Sequence, residues 1–194
     1  WSWDYEAERL SSSPRRNKYA ETRARDTLDF ANAVHGAPNV KELVAIYGEI
    51  RETVTKIAER RNSMRKFDRL GEEDRKSETT STEDLSEFTQ KLGSIPREFA
   101  LYIRGAIAYH GNRFDDAIAS FSAVLALPPA ERRYRSTWAS FMLGKCWLEK
   151  DPAQAVQFFE QTRSLAKAGF LDSLKLADSS VLWQARADLL GGQV

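Results

Sequence analysis

Residues 99–129 read FALYIRGAIAYHGNRFDDAIASFSAVLALPP, and residues 138–163 read WASFMLGKCWLEKDPAQAVQFFEQTR. The two stretches share one plan. A helical run carries a small residue at its centre (Gly105, Gly144), a short break follows (Gly111-Asn112, Asp151-Pro152), and a second run places an aromatic four positions after an alanine (Ala117 to Phe121, Ala155 to Phe159). Two antiparallel helices approach closely only where small residues meet at the crossing, and a large ring then fills the space that opens beside it. On this reading Gly105 and Gly144 are the close-approach positions, Ala117 and Ala155 receive them, and Phe121 and Phe159 fill the gap one turn further on.

Self-similarity at a fixed period marks a helical-repeat architecture. Gly105, Ala117, Phe121 and Pro129, then Leu143, Gly144, Trp147 and Phe159, stand in a pattern that resembles the tetratricopeptide-repeat family. The spacing from Gly105 to Gly144 is 39 residues, against about 34 in that family. The extra length falls in Ala130 to Thr137 and is expected to extend the next first helix by a turn or more. A third unit opens at about Asp178, with VLWQARADLLGG at 181–192, and stops at Val194. A lone first helix leaves one face uncovered, so the array is expected to continue or to be covered by another molecule. Residues 133–190 also resemble uncharacterised bacterial proteins with such repeats.

The resemblance implies an all-α fold, with about two and a half antiparallel helix hairpins in a right-handed superhelix. It also implies a concave wall lined by first-helix residues. By register these are Tyr102, Ala106, Tyr109 and His110, then Phe141, Lys145, Leu148 and Glu149, then Leu182, Arg186 and Leu189. Tyr102, Tyr109, His110, Phe141, Lys145, Glu149 and Arg186 form the candidate binding groove, whose aromatics and cations suit a peptide or a helix. The alternative for Tyr102 and Phe141 is packing on adjacent repeats.

Ahead of the repeats, Leu43, Tyr47, Ile50, Val54, Ile57 and Met64 follow the spacing of a long amphipathic helix over about 40–70. An earlier helix is expected from about Lys18 to Val34, with Leu28, Ala31 and Val34 on one face and HGAP at 35–38 stopping it. Residues 1–17 read as a loosely held arm. The stretch 71–82 contains no large apolar residue and reads as a polar linker. A capping box at Ser81–Asp84 then opens a short helix through Leu85, Phe88 and Leu92, broken at Gly93–Pro96. The expected organisation is an N-terminal helical region over 1–70, the linker, and repeats over 83–194.

Composition agrees with this plan. The 194 residues are 42% hydrophobic and 29% charged with a net charge of +1, which supports a packed core and removes the single-sign field of a dedicated nucleic-acid binder. Only ten glycines and six prolines argue against an all-β domain. No run approaches the roughly 18 apolar residues of a membrane span. The single Cys146 cannot form an internal disulfide, and without a leader to read, the compartment stays open between cytoplasm and periplasm.

The inventory for catalysis is thin. Cys146 with His35 or His110 is a weak nucleophile pair, and one Cys with two scattered His gives no metal-ligand set. Ser63–Lys66 and Ser164–Lys167 satisfy Ser-x-x-Lys without the companion motifs of acyl enzymes. Arg132-Arg133-Tyr134-Arg135 with Trp138 is a basic patch interleaved with aromatics, expected to pair with Glu131 and neighbouring acids while its rings pack. The basic run Arg60, Arg61, Arg65, Lys66 and Arg69 reads as a solvated face. The expected function is non-enzymatic protein or peptide binding by a scaffold or adaptor, with no cofactor, metal or nucleic acid. The alternatives are an accessory region of a larger enzyme and a self-associating module paired through the 40–70 helix.

Overall fold

In a computed structural model of the protein the backbone is described for residues 12–70 and 82–192, and side chains for 21–57 and 87–192. The described residues form eight α-helices and no strand: α1 (Ser12–Ala33), α2 (Val40–Leu70), α3 (Thr82–Ser94), α4 (Arg97–His110), α5 (Phe114–Leu125), α6 (Ser136–Trp147), α7 (Pro152–Lys167) and α8 (Leu176–Leu190). The protein is all-α. It divides into two compact units, Trp1–Glu87 and Phe88–Val194. The expected linker over 71–82 lies outside the described residues except at Thr82, which already opens α3, and the Ser81 cap lies outside them too.

In the N-terminal unit the first helix begins at Ser12, not near Lys18, so part of the expected arm is helical. Pro14 falls in the first turn, where its missing N–H and fixed φ cost nothing. The buried face of α1 also differs from the expected stripe. Of the expected stripe Val34 is buried and Leu28 is exposed, while Asp26, Asp29 and Phe30 are buried in addition. Phe30 stacks on Tyr47 of α2 with centroids 4.0 Å apart and planes 1° from parallel. Burying Asp26 requires partners. Tyr47 Oη donates to Asp26 Oδ1 at 2.8 Å, and Arg51 Nε lies 2.7 Å from Oδ2 as an ion pair without hydrogen-bond alignment. Leu43, Tyr47, Ile50 and Val54 are buried along α2, as their spacing predicts.

In the C-terminal unit successive helices α4 to α8 pack on one another, and α6 also meets α8. Short turns reverse the chain within each hairpin. Between α4 and α5, Asn112 takes a left-handed φ of 58° and Arg113 N donates to Ala108 O at 2.9 Å. Between α6 and α7, Asp151 caps the helix through Gln154 N at 3.0 Å, ahead of Pro152 at its first position.

The glycines decide how close the helices come. A Cβ on Gly105 would lie 2.5 Å from the Phe121 ring, and one on Gly144 would lie 2.5 Å from the Phe159 ring. Each phenyl ring therefore rests directly on its glycine. The expected arrangement, with alanine on the glycine and the ring one turn beyond, is corrected in this respect. Ala117 and Ala155 are buried beside the rings.

The extra length between hairpins does not lengthen α6. Pro129–Glu131 form a 3₁₀ turn after Pro128, and α6 starts only at Ser136. Its mouth is held from another helix: Glu98 Oε2 of α4 accepts from Tyr134 N at 3.0 Å and Arg135 N at 2.8 Å. The next connection is tied similarly, with Thr137 Oγ1 donating to Leu171 O at 2.6 Å and Leu171 N donating to Arg133 O at 3.0 Å. Asp172 then caps α8 through Leu176 N at 2.7 Å and Ala177 N at 2.9 Å.

A methyl group has no room between Gly144 and Phe159. Gly144→Ala is expected to cost about 1–3 kcal/mol, read by urea unfolding, and Phe159→Leu added to it should cost less than the two single changes summed. Strict additivity would show that the ring does not rest on the glycine.

Candidate functional site

The first helices of the hairpins, α4, α6 and α8, carry the residues predicted by register. Lys145 of α6 is half-buried, with Nζ 5.2 Å from the Tyr109 ring centroid of α4 and 5.1 Å from the Trp183 centroid of α8. Arg186, one turn beyond Trp183, places its guanidinium carbon 5.4 Å from the same ring. All three distances lie within the range in which a ring face attracts a cation. Ring, cation, ring and cation thus run across three helices as one stripe. His110 is half-buried at the end of α4, its ring 5.9 Å from that of Tyr109 in an edge arrangement. Phe114 of α5 supports Tyr109 from its other side at 5.7 Å.

Tyr102 and Phe141 share that register and, like Tyr109, lie in the core. Tyr102 packs 5.4 Å from Phe121 and 5.6 Å from Trp138, while Phe141 packs 5.8 Å from Phe159 and 6.2 Å from Trp183. They act as wedges between neighbouring helices, Tyr102 of α4 against Trp138 of α6 and Phe141 of α6 against Trp183 of α8. Ala106 and Leu148 are also buried, whereas Leu182 and Leu189 are exposed on α8. Glu149 is exposed in the turn after α6. Trp183 was not among the predicted residues, although its i, i+3 spacing to Arg186 was readable.

The remaining candidates are engaged elsewhere. Arg135 is fully buried, its guanidinium carbon 4.2 Å from the Phe99 centroid and 4.3 Å from that of Trp138. Arg132 donates to Leu127 O and Ser136 Oγ and lies over Phe170 at 4.6 Å. Glu98, 36 residues from Tyr134, accepts from the backbone N–H groups of Tyr134 and Arg135. Arg163 of α7 reaches Ser180 Oγ at 3.0 Å and Gln184 Oε1, holding α8 in place beneath the stripe. Ser164 Oγ donates to the Glu160 carbonyl within its own helix. The side chains of Ser63 and Lys66, and those of the basic run from Arg60 to Arg69, lie outside the described residues.

Cys146 is buried in the cluster of Ala117, Phe121, Ala139 and Leu143. Burial pushes its thiol from an ordinary 9.0 up to about 12, with Lys145 and Lys150 opposing the shift. The thiolate needed for nucleophilic chemistry is therefore suppressed at neutral pH. Among the described residues no group of three or more His, Cys, Asp and Glu could hold a metal ion, and no helix is long and apolar enough to cross a membrane.

Because the native state keeps the thiol proton up to about 12 while the unfolded chain releases it near 9.0, Cys146 should leave stability unchanged below pH 9 and lower it as pH rises between those values. Cys146→Ala should remove that part of the pH dependence. At pH 8 the native thiol should react with a soluble disulfide reagent at least about a hundredfold more slowly than in denaturant; rapid native labelling would contradict its burial.

Comparison of the chain with protein-family models, with characterised proteins and with solved structures gives no match.

Proposed function

We propose that the C-terminal unit is a tetratricopeptide-repeat-like array that binds an extended segment of another protein, as a non-enzymatic adaptor or scaffold. The observation that carries this reading is the placement of Lys145 between rings supplied by the neighbouring first helices, with Arg186 continuing the line. The twice-repeated seating of phenylalanine on glycine supports the repeat assignment.

The chemistry of the stripe defines the ligand. Half-buried cations beside aromatic faces lose little further hydration when an anion arrives, and the half-buried Trp183 ring offers flat apolar area at low entropic cost. An extended peptide with acidic side chains set between apolar ones would place carboxylates against Lys145 and Arg186 and its apolar groups against Trp183, while the buried Tyr109 ring backs Lys145. Tyr102 and Phe141 would serve this function indirectly, as the wedges that space α4, α6 and α8.

Panning the purified chain against a random peptide display library should enrich acidic and apolar sequences. Lys145→Glu and Arg186→Glu should each weaken the enriched peptides by roughly tenfold while leaving the circular dichroism spectrum unchanged. Enrichment of nothing above background, or binding indifferent to both substitutions, would overturn the proposal.

A further inference from the structure

Residues 1–8 read WSWDYEAE, and their chemistry alternates from one position to the next. Trp1, Trp3, Tyr5 and Ala7 hold the odd positions, while Ser2, Asp4, Glu6 and Glu8 hold the even ones. Alternate residues of an extended backbone share one edge, so this pattern writes an apolar edge and an acidic edge. The stretch carries three carboxylates and no basic side chain, and nowhere else in the 194 residues do three aromatic residues stand at alternating positions. Residues 1–11 lie outside the described residues, and it is their sequence alone that complements the stripe.

The stripe calls for such a partner. Lys145 Nζ and the Arg186 guanidinium carbon stand 5.1 Å and 5.4 Å from the centroid of the same Trp183 ring. Successive residues on one edge of an extended chain lie about 6.7 Å apart, so two carboxylates on that edge can reach two cations that share a ring. Asp4 and Glu6 supply them. Trp3 and Tyr5, on the opposite edge, exclude water from the two ion pairs and so strengthen them. The net charge of +1 leaves no field that would hold two copies of the chain apart. Two copies that exchange these segments make the contact twice, and the second contact forms within a pair already joined, at a raised effective concentration.

We infer that the stripe of one copy binds residues 1–8 of a second copy, with Asp4 and Glu6 against Lys145 and Arg186. The inference rests on the stripe's being a site for acidic, apolar segments, and it adds the occupant: the chain carries a ligand for its own site. Another protein with a segment of this kind then competes with self-association. The empty scaffold is an assembled pair and the loaded one a monomer.

Sedimentation velocity on the full chain tests this. Association that rises with concentration and falls with added salt is expected. Lys145→Glu with Arg186→Glu should weaken it at least about tenfold, and so should Asp4→Lys with Glu6→Lys. All four substitutions in one chain should restore it, because the charges are exchanged and their pairing kept. Circular dichroism checks that each variant keeps its helices. The peptide WSWDYEAE, acetylated and amidated so that only its side chains are charged, should dissolve the assembly. A chain that stays monomeric at every concentration overturns the inference, as does association that either pair of substitutions leaves untouched or that their combination fails to restore. If library-selected acidic peptides still bind the stripe in that event, the reading of the stripe stands and its occupant is wrong; if they do not, both fall together.

Discussion

A phenyl ring resting on a glycine sets the separation of the helices in both hairpins of the C-terminal unit. With any side chain at position 105 or 144 the ring would have to move, because even a Cβ would lie 2.5 Å from it. Dense interiors do not absorb such a shift locally. The position of α7 on α6 fixes where Arg163 stands, and Arg163 holds Ser180 and Gln184 of α8. That in turn determines whether Trp183 faces Lys145. The stripe of alternating rings and cations is therefore a downstream consequence of two contacts that contain no polar atom.

The parts of this architecture that could be read in the sequence are those whose physical requirement is local. Glycine at the centre of one helix and phenylalanine in the next lie 16 residues apart in the first hairpin (105 to 121) and 15 in the second (144 to 159), joined by a turn with its own signals. The apolar spacing of Leu43, Tyr47, Ile50 and Val54 likewise specifies one face of α2. What escaped reading depends on partners distant in the chain. Asp26 looks like a surface residue until Tyr47 and Arg51 meet it, so the buried face of α1 was placed on Leu28 instead. The start of α6 depends on Glu98, a separation that no local pattern expresses. Tyr109, Lys145 and Arg186, read by register as one face, are linked in space through Trp183. Register says which face a residue occupies and not how deep it sits, which is why Tyr102, Tyr109 and Phe141 are all buried.

The near balance of positive and negative charge also takes a physical form. Several cations of the C-terminal unit are matched to rings: Arg132 to Phe170, Arg135 to Phe99 and Trp138, Lys150 to Trp147. A guanidinium is weakly hydrated and planar, so it enters an aromatic environment at lower cost than an ammonium. Arg135, fully buried, uses this property, and the Glu98 carboxylate beside it accepts the backbone N–H groups of the same segment. The aromatic content thus serves both to fill space and to accommodate charge.

Glu98 and Thr137 occupy equivalent positions but hold the following chain in opposite ways. The carboxylate can only accept, and it takes two N–H groups; the hydroxyl donates, and it meets a carbonyl. A hydroxyl oxygen can also accept, so Thr137 could serve either polarity, whereas a carboxylate in its place would face the Leu171 carbonyl with no proton to offer. The two entrances are therefore alike in position and unequal in tolerance.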